Sequence, residues 1–288
     1  MTVINTNTSS MIARDAINRN DRAMSQAMER LSTGSRINSA KDDAAGLAIA
    51  DRMSAQVSGL NMAVRNANDA ISMLQTIEGA TKEITNMLGR MRELAVQSAS
   101  GTYTDTDRDA LNLEFGALMD EITRIAQNTE WNGQAVLRGN IAVTAENNGS
   151  SNDVAETHTI QLGSSSGQTM ALSINTWVPT TTSADGEANV AIDLTSDGSA
   201  DAYGTAALYA TAADADTVAS TRIGIDTVTE AGIAITNLDL AINGAAAERA
   251  KYGSYMARLQ HASDNLANIA TNTSASLSQI ADADYAVE

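Results

Sequence analysis

The chain of 288 residues has no cysteine, one proline (Pro179), two histidines (His158 and His261) and one phenylalanine (Phe115). Without cysteine there is no disulfide framework, no thiolate-ligated zinc and no thiol nucleophile. Two histidines leave a multi-histidine metal site without ligands, and no cofactor is expected. The scarcity of aromatics, with two Trp and six Tyr beside the single Phe, excludes a bulky aromatic core. It favours helices packed closely through small side chains, at interaxial distances of roughly 8–10 Å. No apolar run is long enough for a membrane span, and the charged first thirty residues lack the hydrophobic stretch of a cleavable signal. The net charge of −17 and pI near 4.4 argue against nucleic acid and membrane insertion alike, since both nucleic acid and anionic lipid reward clustered Lys and Arg.

The charge is unevenly spread. Residues 1–140 carry a net −3, residues 141–222 a net −9 with Arg222 as the one basic group, and residues 223–288 a net −5. The middle segment, which also holds Pro179 and most of the Ser/Thr/Gly-rich stretches, reads as an insertion between two helical arms.

Hydrophobic periodicity defines those arms. Met53, Val57, Leu60, Val64, Ala67, Ile71 and Leu74 alternate spacings of four and three, and the series runs on less strictly to Leu94. Ala231, Ile235, Leu238, Ile242 and Ala245 repeat the rhythm. Tyr252, Met256, Leu259, Leu266, Ala270, Leu277 and Ile280 extend it. Sustained 4–3 spacing is a coiled-coil seam. A continuous helix from about Ala44 to Ser98 would be roughly 80 Å long at 1.5 Å per residue. A third helix should begin at Thr104, where a hydroxyl cap precedes Asp105, Asp107 and Asp109, and should bury Leu111, Phe115, Leu118, Ile122 and Ile125. The three aspartates imitate the start of a calcium loop. The match fails at Ala110 and Gly116, where glycine and glutamate are required. Trp131-Asn132-Gly133 is a turn signal, and residues 158–162 and 169–174 flank a Gly/Ser-rich loop as a β-hairpin.

The expected architecture is mainly α: a long antiparallel coiled-coil bundle built from both chain ends, with a β-hairpin and a small β-rich outer module. Its segments are residues 1–43, a helical rod of 44–174 with 223–288, and an exposed module of 175–222. No catalytic motif is present, neither H-E-x-x-H, G-x-S-x-G nor a P-loop, so no enzyme is expected. His158 and His261 read as satisfied or solvent-facing. Trp131, Trp177, Tyr203 and Tyr209 offer a sugar-binding surface as a lesser alternative.

Specific motifs then point to a family. LSTGSRINSAKDDAAGLAIADRM, from Leu31 to Met53, resembles the amino-terminal signature of bacterial flagellins. NANDAISMLQTIEG (Asn66–Gly79) and MRELAVQ (Met91–Gln97) resemble the family's next blocks. RLQHASDNL (Arg258–Leu266) and IADADY (Ile280–Tyr285) resemble its carboxy-terminal ones. The resemblance covers about residues 1–140 and 223–288. It implies a structural subunit that polymerises into the flagellar filament for motility, secreted unfolded through the flagellar type III channel and working outside the cell. The implied partners are other flagellin subunits, a flagellar export chaperone, a cap protein and an animal Toll-like receptor. For the receptor, or for contacts between subunits, Arg90, Leu94 and Glu114 match contact positions, while Gly89 replaces a common Gln. A hook–filament junction protein and a flagellin-like polysaccharide-binding surface protein are the alternatives. The family continues beyond the block that ends here at Glu288, so the carboxy-terminal helix is expected to be lacking. Residues 1–43 would then be an inner-core segment without its partner, and the chain a monomer.

Overall fold

A computed structural model describes residues 7–138, 156–177, 180–182, 189–192, 206–207 and 224–288. Four helices dominate: α1 (Thr8–Thr33), α2 (Ala44–Ser98), α3 (Asp105–Asn128) and α4 (Val228–Ala281). Short antiparallel strands lie between α3 and α4. They pair as β1 (Glu130–Trp131) with β2 (Gln134–Ala135), and β3 (Glu156–Gln161) with β4 (Thr169–Ile174). A third sheet has the order β5 (Thr180–Thr182), β6 (Asn189–Ile192), β7 (Ala206–Ala207). Tyr203 and Tyr209 lie outside the described residues. The chain is mainly helical, as its periodicity predicts, and the long helices α2 and α4 from the two chain ends pack together.

The local chemistry explains the helix boundaries. Asn7 caps α1 by accepting from the Ser10 amide at 3.0 Å, and Gly34 ends it in the left-handed region at φ 73°. Asp43 caps α2, its Oδ1 accepting from the amides of Ala45 and Gly46 at 3.1 and 2.8 Å. Thr104 and Asp107 form a reciprocal capping box at the start of α3, which is the role that Asp107 of the calcium-like set fills. Thr227 and Glu230 do the same for α4. Asn132 and Gly133, both with positive φ, make the two-residue turn between β1 and β2.

The buried face of α2 is stricter than the sequence pattern suggests. Leu60, Ala63, Ala67, Ala70, Leu74, Ile77, Thr81, Ile84, Leu88, Met91, Ala95 and Ser98 alternate spacings of three and four without a break. Ala231, Ala234, Leu238, Ala241, Ala245, Glu248 and Tyr252 continue the same rule in α4. Val64, Ile71, Ile235 and Ile242, expected on the seam, are half-buried at its flank. Alanines take their places, which lets the helix backbones approach closely.

The chain divides into two compact units. The first comprises residues 1–65, 162–168 and 263–288. Its small core joins Leu60 and Ala63 of α2 to Leu266 and Ala270 of α4, with Val64 and Leu162 packed against it. The hairpin loop lies on Gly59, where an added Cβ would stand 3.0 Å from Ser164 Cβ. The segment after α4 closes over the α1–α2 connection. The Arg36 amide donates to Ala281 O at 2.7 Å, the Ala283 amide to Gly34 O at 3.0 Å, and Arg30 pairs with Glu288 at 2.6 Å.

The second unit comprises residues 66–161 and 169–262. Here α2 and α4 run antiparallel, with Arg92 beside Asp239 and Glu78 beside Arg249. Both pairs are half-exposed and add little beyond the packing of the seam. The core is the seam itself with Phe115, Met119 and Ile122 of α3, Leu172 and Ile174 of β4, and Trp177. Buried Arg108 closes the end of α2, its guanidinium donating to the carbonyls of Ser98, Ser100 and Tyr103.

Candidate functional site

Three surfaces are candidates. The first is α1. None of its 26 residues is buried. Ile17, Met24, Met28 and Leu31 are all exposed and fall at spacings of seven, four and three, which places them along one stripe of the helix. Burying each such side chain is worth about 1.5–3 kcal/mol, so the stripe is a surface that a second helix would cover. The seven-residue step from Ile17 to Met24 was its available signal in the sequence.

The second surface joins α2 to α3. Arg90 lies 2.9 Å from Glu114 and 3.1 Å from Glu93, and all three are exposed. The two carboxylates hold the Arg90 guanidinium above its ordinary pKa, the Glu114 hydrogen bond being the larger cause. The structure thus brings together two of the three residues singled out in the sequence. Leu94 is 1% exposed and belongs to the buried face of α2, so the structure does not bring it to this surface.

The third is a cavity of about 380 Å³ in the second unit. Asn66, Asp69, Trp131, Asn132, Gln134 and His158 supply its polar and aromatic edge. The His158 Nε2 is buried and has no hydrogen-bond partner among the described residues; Glu156 stands 3.8 Å away. His158 is half-buried, while His261 is solvent-facing on α4. Trp131 and Trp177 do not form one surface, because Trp177 is buried in the core. Among the described residues no group of three or more His, Asp or Glu could hold a metal ion, and no helix is long and apolar enough to cross a membrane.

None of these surfaces has the form of a catalytic centre, whereas α1 offers a face for another helix. Comparison with known proteins decides the matter. Residues 4–142 match the bacterial flagellin N-terminal helical region, and residues 235–288 match the bacterial flagellin C-terminal helical region. Polar flagellin F of Vibrio parahaemolyticus is 34% identical over an alignment spanning 99% of this chain and 90% of that protein. The chain belongs to the bacterial flagellin family. Flagellin A of Vibrio cholerae is 35% identical, again over 99% of this chain and 90% of the relative. The crystal structure of Bacillus cereus flagellin is 31% identical and covers 74% of this chain and 94% of that one, with a TM-score of 0.48.

This flagellin is therefore a structural protein and not an enzyme: it is a subunit of the flagellar filament, it self-assembles, and it works outside the cell. The match over residues 235–288 also corrects one expectation. The family's C-terminal helical region is present, and most of it is α4 itself, from residue 235 to Ala281. The blocks at Arg258–Leu266 and Ile280–Tyr285, read as the end of the chain's resemblance, lie along and just past that helix. The expectation that the chain lacks its carboxy-terminal helix is unsupported, and the monomeric state inferred from it loses its basis.

Proposed function

We propose that this flagellin assembles through α1, with residues 1–43 as the inner segment of the filament and the helices of 44–174 and 223–288 as the body of the subunit. Residues 175–222 are the variable, outward-facing module. The observation that carries this reading is a 26-residue capped helix that buries nothing and displays Ile17, Met24, Met28 and Leu31 along one side. A helix of such modest intrinsic stability gains most from packing, and a filament supplies that packing from neighbouring copies. The middle segment's net charge of −9 suits a surface facing water.

The finer partners follow from the same surfaces. An export chaperone shields exposed apolar stripes before assembly, and a cap protein receives subunits at the growing end. Arg90 and Glu114 form the surface that an animal Toll-like receptor or a neighbouring subunit reads, since both are exposed and oriented by one ion pair.

The test is an Ile17→Glu/Leu31→Glu double variant assayed by electron microscopy for seeded filament growth. Filaments are expected to disappear while the thermal transition of the second unit is unchanged. Growth at the normal rate would contradict the reading. For the second surface, Arg90→Glu should leave the fold intact and lower a receptor-reporter signal at least tenfold.

A further inference from the structure

We infer that Met24 and Met28 of α1 form an oxidation-sensitive pair, whose conversion to sulfoxides by hypochlorous acid turns the apolar stripe polar and blocks subunit assembly. The inference rests on the reading of α1 as the assembly helix.

Three observations converge on it. The chain has 12 methionines and no cysteine, so no thiol competes for the oxidant and thioether sulfur is its most reactive group. The methionines differ sharply in access. Met24 and Met28 are 62% and 64% exposed, whereas Met73, Met91, Met119 and Met170 are buried. Finally, Met24 and Met28 are one helical turn apart and sit between Ile17 and Leu31 on the same stripe. Met11 and Met62 are also exposed, but Met11 lies off that stripe and Met62 is on α2.

In the reaction, hypochlorous acid transfers its oxygen to sulfur. The O–Cl bond breaks and an S–O bond forms. Sulfur is oxidised by two electrons, chlorine is reduced to chloride, and the proton of the acid is released. The product is a strong hydrogen-bond acceptor on what was a flexible apolar side chain. Two such groups in the middle of the stripe would be buried without donors when another helix covers it, which disfavours the contact. The sulfoxide is reducible by methionine sulfoxide reductases, so the block is reversible.

The experiment treats the full chain with a few equivalents of hypochlorous acid, maps each methionine by mass spectrometry and follows seeded elongation. Met24 and Met28 are expected to oxidise before Met73, Met91 and Met119, and elongation should fall at least tenfold. A Met24→Leu/Met28→Leu variant, in which Met11 and Met62 still oxidise, should keep most of its elongation after the same treatment. Reductases of both sulfoxide epimers should restore the wild-type chain. Normal elongation of a chain carrying both sulfoxides would overturn the inference, as would equal loss in the leucine variant. Failure of the untreated chain to elongate is a different result: it would overturn the assembly reading of α1 itself, and the inference with it.

Discussion

The indole Nε1 of Trp177 donates to the hydroxyl of Tyr252 at 3.1 Å, and both side chains are almost wholly buried. This bond ties the segment following β4 to the middle of α4. Two neighbouring contacts strengthen the junction: the Trp177 amide donates to Leu137 O at 2.9 Å and Asn175 Nδ2 to Glu248 Oε1 at 3.1 Å. The only buried tryptophan among the described residues is thus spent on fastening the hairpin to the helices.

Removing one partner should cost more than the bond is worth. Tyr252→Phe leaves a buried indole N–H unpaired and is expected to destabilise the second unit by about 1–3 kcal/mol. Trp177→Phe removes the donor as well as volume, and should cost about 1–3 kcal/mol more than a volume-conserving swap would. The double variant should lose less than the sum of the two single losses, a difference that urea denaturation followed by circular dichroism measures as a coupling energy.

Glu248 sets a pH dependence at the same junction. Burial raises its pKa above the ordinary value, and Lys251 and Tyr252 pull it back only in part. Its Oε2 is buried with no hydrogen-bond partner among the described residues. A raised carboxyl pKa in the folded state means that the folded chain binds the proton more tightly. The favourable contribution is present below the unfolded value and is lost as pH rises through the folded one. Glu248→Gln should therefore raise the melting temperature at pH 7, by about 2–4 °C for each kcal/mol of relieved burial. The advantage should vanish near pH 4, and scanning calorimetry at the two pH values checks it.

Arg108 offers a third test. Its guanidinium donates to the carbonyl of Ser98, the last residue of α2, and to those of Ser100 and Tyr103 in the connection that follows. Lysine presents a point charge and not a planar fork, so Arg108→Lys should cost about 1–3 kcal/mol. Hydrogen exchange should rise first at the end of α2 and in the 99–104 connection. Unchanged exchange there would show that the carbonyls find other donors.

Gly34 tests the first unit. It ends α1 at φ 73°, and a Cβ there would stand 3.2 Å from the Tyr285 hydroxyl. Gly34→Ala should cost about 1 kcal/mol through the left-handed backbone alone. Proteolysis at the α1–α2 connection should speed up while the second unit keeps its melting temperature.

Much of this fold was legible in the sequence, for reasons that individual residues make clear. The expected helix from about Ala44 to Ser98 matches α2, the Thr104 cap marks the start of α3, and the strands of the hairpin follow from alternation around a Gly/Ser loop. The seams were half right in a consistent way. Leu60, Ala67 and Leu74, then Phe115 and Ile122, then Ala231, Leu238 and Ala245 are buried as expected. At the alternate positions the pattern favours the larger side chains Val64, Ile71, Ile125, Ile235 and Ile242. The structure buries Ala63, Ala70, Ala126, Ala234 and Ala241 instead. Side-chain size was taken as a guide to burial, whereas close helix approach rewards the smaller residue. Glu248 could not have been placed on the buried face from hydrophobicity at all. The stripe on α1 was missed for the complementary reason: its residues are apolar but exposed, and a single chain offers nothing to cover them.

Because the chain has no cysteine, Met28→Cys gives a single thiol on the α1 stripe for a nitroxide spin label. Its electron paramagnetic resonance spectrum, taken before and after seeded filament growth, tests directly whether other copies cover α1. The account predicts a mobile spectrum in the free subunit and a strongly immobilised one in the filament. A label equally mobile in both states would contradict it.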